Sequence, residues 1–308
     1  MTSAQQETFA MFDTILLLQP KVTKAKGLNR DYNITDVAND ILKRLPEKID
    51  MPSNFDTATA DSMTTVLIQE IVRYTKLLRV INSSLKELLK ALKGLVVMSA
   101  QFEELANSLY NNQVPTMWTL KSYSSLKPLG SWVVDLENRI EFIKSWIANG
   151  QHKVFWISGF FFPQAFLTGV LQTYARKYQI SIDTLSFDFK VLGQAEYEIK
   201  SGPEDGVYIR GLYLEGARWN SSTMQLDECK PKELYTEMPI VWLRPVANRK
   251  KAESGNYGCP VYKTLRRAGT LSTTGHSTNY ILTIELPTDK NQQHWIKRGV
   301  ALICGLNY

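Results

Sequence analysis

An α+β fold is what this sequence predicts: an N-terminal α-helical bundle followed by a small antiparallel β barrel. Two observations carry that expectation. Apolar residues recur at steps of three and four up to about residue 180, and at steps of two beyond it. The later alternating runs are separated by Gly- and Pro-containing turns with no helical pattern between them, the arrangement of strands that pair in a barrel or sandwich. The chain is therefore read as a lead-in over 1–52, a helical subdomain over 53–180 and a β-barrel subdomain over 181–308.

The longest helical signal runs through Leu67, Ile71, Tyr74, Leu78, Ile81, Leu85, Leu88 and Leu92, at alternating steps of four and three. Asp61 or Ser62 can cap its start and Gly94 can end it, giving about 30 residues and a rod of roughly 45 Å. Val66, Leu77, Val80 and Leu89 widen the stripe beyond a two-stranded seam, so the helix is expected inside a bundle. A shorter helix over 35–45 begins at Thr35-Asp36 and stops at Pro46. Another over 131–149 places Trp132, Leu136, Ile140, Ile143 and Ile147 on one face and ends at Gly150. Asp135 and Arg139 stand four apart on it, a spacing worth a few tenths of a kcal/mol on an exposed helix. Val154 to Ile157 is a short buried run ended by Ser158-Gly159, and Pro163 opens a further helix over about 163–178.

Past residue 180, Leu185, Phe187, Phe189 and Val191 alternate with polar residues, as do Tyr280, Leu282, Ile284 and Leu286 with Ile281, Thr283 and Glu285. Within 206–215 the apolar phase shifts across Gly211, which predicts a bulge. Runs at 239–243, 260–265 and 299–304 complete six strands.

The 308 residues carry 36 Lys and Arg against 30 Asp and Glu, a formal charge of +6. Residues 1–180 hold 20 basic and 16 acidic side chains and residues 181–308 hold 16 and 14, so the excess is spread thinly along the sequence. The local exception is Arg249-Lys250-Lys251 with Lys263, Arg266 and Arg267. It reads as a solvated loop in preference to a contact with an acidic partner such as nucleic acid, for which Tyr257 and Tyr262 are the nearby stacking residues. Three cysteines, Cys229, Cys259 and Cys304, are too few and too separated for a disulfide framework, which points to a reducing compartment. With no long apolar run and no basic-then-apolar opening, a soluble intracellular protein is expected, with no membrane partner.

No phosphate-binding loop of the form G-x-x-x-x-G-K-[ST] and no dinucleotide G-x-G-x-x-G occurs. His152, His276 and His294 pair neither with each other nor with a C-x-x-C, so a zinc site would need long-range convergence. Cys259, His276 and Asn279 are the residue types of a thiol hydrolase. Gly275-His276-Ser277-Thr278-Asn279 fits a strand-entry turn better, because Ser, Thr and Asn bond backbone groups there and Gly supplies positive φ. No catalytic, cofactor-binding or metal-binding residue is assigned.

Long segments in fixed order carry a resemblance. Ser158 to Lys177 (SGFFFPQAFLTGVLQTYARK), Lys93 to Ser99 (KGLVVMS), Gly211 to Trp219 (GLYLEGARW), Cys259 to Thr264 (CPVYKT), Gly269 to Asn279 (GTLSTTGHSTN) and Trp295 to Leu302 (WIKRGVAL) closely resemble the C-terminal region of dynein heavy chains. The phrasing of FFFPQAFLTG and TLSTTGHSTN is more similar to the axonemal branch, of cilia and flagella, than to the cytoplasmic one. The resemblance implies a fragment of a large microtubule motor whose AAA modules form a ring, with residues 1 to about 52 ending the last module. It implies a non-catalytic domain lying across that ring, bracing it and tuning ATPase cycling, force and processivity, with ATP and Mg confined to the parent motor. The implied partners are the ring modules and other dynein subunits, with microtubules reached only through the parent. The implied location is the cytoskeleton of the ciliary or flagellar axoneme. Met1, ahead of a segment that resembles the interior of such a protein, is expected to be an artificial start.

Overall fold

A computed structural model describes residues 27–52, 60–249, 255–267 and 277–308. Seven helices among them are α1 (Gly27–Arg44), α2 (Ser62–Leu92), α3 (Ala100–Tyr110), α4 (Thr116–Thr119), α5 (Leu129–Asn149), α6 (Pro163–Tyr178) and α7 (Gln292–Lys297). The strands are β1 (Val154–Trp156), β2 (Leu185–Val191), β3 (Val207–Arg210), β4 (Tyr213–Glu215), β5 (Arg218–Asn220), β6 (Gln225–Asp227), β7 (Tyr235–Glu237), β8 (Val241–Ala247), β9 (Asn256–Thr264), β10 (Tyr280–Pro287) and β11 (Ala301–Gly305).

The long helix forms as its seam dictates. Asp61 Oδ1 accepts the backbone N–H of Thr64 at 2.6 Å, which satisfies one of the free donors of the first turn. Leu67, Ile71, Tyr74, Leu78, Ile81, Leu85 and Leu88 are all buried, and Gly94 follows the last turn with φ +72°. Around α2 pack α1, α3, α4, α5 and α6. Trp118 of α4 stacks on Trp132 of α5 with ring centres 5.9 Å apart, and its indole N–H donates to Ser84 Oγ of α2 at 2.9 Å. A large apolar ring is thus buried with its polar atom satisfied.

The β half differs from the expected antiparallel barrel. Its strands form a four-stranded sheet in the order β1-β3-β8-β2, a five-stranded sheet in the order β10-β9-β11-β4-β7 and the hairpin β5-β6, none of them closed into a barrel. Two pairings are parallel, β1 with β3 and β11 with β9, and α7 intervenes between β10 and β11. The strands do follow the period of two, but periodicity says nothing about which strand lies beside which.

Gly211 is the clearest case. The phase shift across it is a change of sheet, not a bulge: β3 ends in the four-stranded sheet and β4 begins in the five-stranded one. Gly211 turns the backbone with φ +86°, and a Cβ there would collide with the Trp156 ring. One hydrophobic core runs through both halves, from Leu85 and Trp132 to Val241, Cys259 and Leu302. Strand β1, which precedes residue 180, adds a segment of the helical half to the first sheet.

Candidate functional site

The most constrained polar arrangement lies where α2 and α5 meet the segment Ser158–Gln164, between β1 and the first turn of α6. Glu70 and Tyr74 stand one helical turn apart on α2 and therefore share a face. Glu70 is fully buried, and its carboxylate accepts the backbone N–H groups of Phe161 at 2.5 Å and Phe162 at 3.1 Å. Tyr74 donates its hydroxyl to Gly159 O at 2.7 Å. Burial raises the pKa values of both side chains, opposed at Glu70 by those two N–H groups and by the charges of Arg73 and Arg139. Arg73 Nη1 approaches Glu70 at 3.3 Å from the solvent side.

Arg139 on α5 completes the joint. Its Nε donates to Asp135 Oδ2 at 2.6 Å, with side-chain exposures of 7% and 12%. The guanidinium lies 3.8 Å from the centre of the Tyr123 ring and 5.5 Å from that of Trp156, and Nη1 reaches Phe160 O at 3.4 Å. The spacing of Asp135 and Arg139 reads as an exposed i,i+4 pair, but the fold buries it among aromatic residues. That makes it far costlier to break than a surface pair.

Phe160, Phe161, Phe162 and Gln164 each have separate partners. Phe160 stacks on Phe166 in the core, and Phe161 sets its edge against Tyr74 and Tyr123. The Phe162 ring lies 5.1 Å from the Arg73 guanidinium and 5.7 Å from Lys263 Nζ of β9. Pro163 opens α6, and Gln164 Nε2 donates to Tyr280 O at the start of β10. Ser158, just ahead of the run, donates to Gly211 O. The arrangement fastens helices to both sheets, and Glu70, Tyr74 and Arg139 spend their hydrogen bonds on backbone atoms and on a carboxylate of the same joint. Its chemistry suits holding elements together more than binding a small molecule.

Cys259 is fully buried on β9 and burial raises its thiol pKa strongly, the reverse of what a nucleophile needs. Burial pushes Cys304 up to about 12, and Cys229 is raised as well; all three cysteines are free. Gly275 and His276 lie outside the described residues, as do Lys250 and Lys251. Asn279 does serve the backbone, its Nδ2 donating to Arg266 O at 2.7 Å while its own N–H bonds Ser277 Oγ at 3.2 Å. His152 shares a hydrogen bond with Phe142 O at 3.0 Å, and His294 one with Glu228 at 2.6 Å.

Within the basic loop, Arg249 is held by Glu285 and Asp188, and Arg267 by Glu215 and Gly299 O. Burial lowers the pKa of Lys263. Among the described residues no group of three or more His, Cys, Asp or Glu is placed to hold a metal ion, and no helix is long and apolar enough to cross a membrane.

The family model for the C-terminal domain of the dynein heavy chain matches residues 5–304. This protein belongs to that family. It is 58% identical to dynein axonemal heavy chain 1 of Rattus norvegicus over 310 aligned residues, which span 100% of the sequence and 7% of the relative. Against dynein axonemal heavy chain 3 of Homo sapiens the identity is 49%, over 99% of the sequence and 8% of the relative. Against dynein axonemal heavy chain 12 of Mus musculus it is 47%, over 98% and 10%. The 308 residues thus span about a tenth or less of the length of these relatives. In this member of the family, the longest segment that carried the resemblance, Ser158–Lys177, is the one that forms the joint.

Sequence reasoning missed the joint's buried acid, Glu70, and read the Asp135–Arg139 pair without its burial. Glu70 interrupts the apolar seam between Leu67 and Ile71, and a carboxylate flanked by buried positions is the signal that was available. Helix α3 was also missed, although Ser99 caps it by accepting the N–H of Phe102.

Proposed function

We propose that these residues are the C-terminal, non-catalytic part of an axonemal dynein motor subunit, and that they brace its AAA ring and regulate its ATPase cycling, force and processivity. The observation that carries the reading is coverage. Axonemal relatives match the sequence from end to end, while it spans only 7% to 10% of their length. The bracing role draws support from the joint, where buried hydrogen bonds tie α2 and α5 to the segment between β1 and α6.

In this reading residues 1–52 end the last AAA module, 53–180 form the helical subdomain and 181–308 the β subdomain. ATP and Mg belong to the parent motor. The partners are the ring modules and the other subunits, microtubules are reached through the parent, and the place of work is the ciliary or flagellar axoneme. No observation favours the hydrolase or nucleic-acid readings.

Calorimetric titration of the 308-residue protein with Mg-ATP tests the non-catalytic part: no saturable binding is expected, and micromolar binding would overturn it. The regulatory part is tested in the parent motor by removing this region. ATPase rate or gliding velocity should change, and a motor identical to the intact one in both would overturn it.

A further inference from the structure

We propose that the groove along the exposed side of α2 is a docking surface for an acidic polypeptide segment. Arg79, Lys86, Lys90 and Lys93 fall at steps of seven, four and three, which places them on one face of the helix over about 21 Å. That face forms one wall of a groove of about 800 Å3, and Glu47 and Lys48, which follow α1, help form the other. With Glu87 included, five cations face two carboxylates. The lining therefore carries +3, or +2 with Asp50, which pairs with Lys48 at 2.9 Å, out of an excess of +6 over the whole sequence. A charge spread thinly in sequence has been gathered by a helical face.

The cations are available to a partner. Lys86 pairs with Glu47 at 3.1 Å and Lys90 with Glu87 at 2.7 Å, but all four side chains are between 43% and 69% exposed. Such pairs contribute little and exchange readily for another carboxylate. Arg79 and Lys93 make no ion pair among the described residues and are exposed. In the β half Arg249 and Arg267 are placed differently, being committed to carboxylates of the sheets, Arg249 to Glu285 and Arg267 to Glu215.

The lining selects polypeptide over nucleic acid. It contains no aromatic side chain on which a base could stack. A nucleic-acid strand carries a charge at every nucleotide and would bring phosphates against Glu47 and Glu87, whereas a polypeptide spaces its carboxylates and can set a neutral residue there. Leu89 and Leu95 give the groove an apolar footing, and Val97 lies exposed just beyond it. The fitting partner therefore has several carboxylates and an apolar residue toward the Leu95 end. The inference stands on charge and shape alone and does not depend on the role proposed above.

Fluorescence anisotropy tests it, with the 308-residue protein and a labelled peptide of about ten residues rich in Glu and ending in Leu, long enough when extended to cover the stripe. Saturable binding is expected at low salt, weakening several-fold as ionic strength rises toward about 0.2 M. Replacing the stripe together, Arg79→Gln, Lys86→Gln, Lys90→Gln and Lys93→Gln, should weaken binding at least about tenfold. A control with the same loss of charge elsewhere, Lys121→Gln, Lys144→Gln, Lys230→Gln and Lys297→Gln, should stay within about twofold of the parent. Should the stripe variant fail to fold, Arg79→Gln and Lys93→Gln are used singly, since neither residue has an ion-pair partner to lose among the described residues. Equal weakening in the control, absence of saturable binding at low salt, or tighter binding of a single-stranded oligonucleotide of equal charge would overturn the proposal.

Discussion

Two junctions in this molecule each centre on an arginine, and they are not equivalent: Arg249 joins carboxylates of two strands, whereas Arg139 pairs with Asp135 of its own helix and reaches across to Phe160 O. At the helix-to-sheet joint Arg139 is buried with Asp135 under Tyr123 and Trp156. At the seam between the sheets, where the edge strands β2 and β10 approach without pairing, Arg249 joins Asp188 of β2 to Glu285 of β10, at 3.4 and 2.8 Å. The first arginine has given up its water and depends on every partner it has. The second is 17% exposed and held by two bonds to Glu285, itself 14% exposed, with Asp188 beside it at 35%, so solvent reaches it mainly on the Asp188 side. Identical residue types therefore differ in consequence by what surrounds them: removing a partner from a buried pair strands a charge, and removing one from a pair that water reaches does so less.

The contrast is broken most directly at Arg139. Arg139→Ala is expected to cost about 3–5 kcal/mol, measured by denaturant unfolding, because it leaves Asp135 buried and unpaired. A loss under about 1 kcal/mol would place the joint in solvent and erase the distinction. Leu85→Ala, in the centre of α2, should cost roughly 2–5 kcal/mol through lost burial and a residual cavity. That apolar reference shows whether the polar joint matters as much as the core it adjoins.

Glu70→Gln sharpens the comparison by keeping shape while removing charge. An amide can accept only one of the two N–H groups without turning its own N–H2 toward the other, so a cost of about 1–3 kcal/mol is expected at neutral pH. Burial raises the folded-state pKa of Glu70 above its ordinary value of 4.5. The folded protein thus holds the proton more tightly than the unfolded one, and Glu70's contribution is most favourable below that ordinary value and diminishes as pH rises through the folded pKa. The difference in unfolding free energy between parent and Glu70→Gln should therefore vary with pH above 4.5 and level off at higher pH. A difference constant across that range would show that Glu70 titrates as it does when unfolded.

The smallest effect belongs to the seam. Arg249→Gln should lower stability by about 1–2 kcal/mol, less than Arg139→Ala, because Asp188 and the Arg249 side chain keep some contact with solvent. Hydrogen exchange in β2 and β10 should nevertheless quicken while the β9–β11 pairing is unaffected, because that parallel ladder does not run through the clasp. Uniform quickening across both sheets would mean that the seam and the sheets open as one unit.

Much of the helical half is legible in the sequence, but α1 starts at Gly27 and not at the cap expected at Thr35-Asp36, and α3 and α4 carry no long apolar stripe that would announce them. The cap at Asp61, the stop at Gly94 and the opening of α6 by Pro163 all follow from side-chain and backbone chemistry within a few residues. The buried stripe of α2 needs only a period of 3.6. The longer strands are legible as strands, the three-residue β5, β6 and β7 are too short to show a period, and no strand's neighbours are legible. Pairing joins residues as distant as Trp156 and Arg210, or Leu302 and Val261, and nothing in a period of two specifies a partner, a direction or a closed sheet.

Charge follows the same division. In the cluster conspicuous in sequence, Arg249 and Arg267 are tied up within the sheets, while the stripe over Arg79 to Lys93 is too dispersed to attract notice until the helix aligns it. The sequence by itself determined the long helices, the alternation of the longer strands and the family, because these rest on local periodicity and on ordered segments. Only the tertiary structure decided that the sheets stay open, that Glu70 and Arg139 are buried and that the α2 stripe faces solvent. Those outcomes depend on which surfaces lose their water, and desolvation is set by neighbours far away in the sequence.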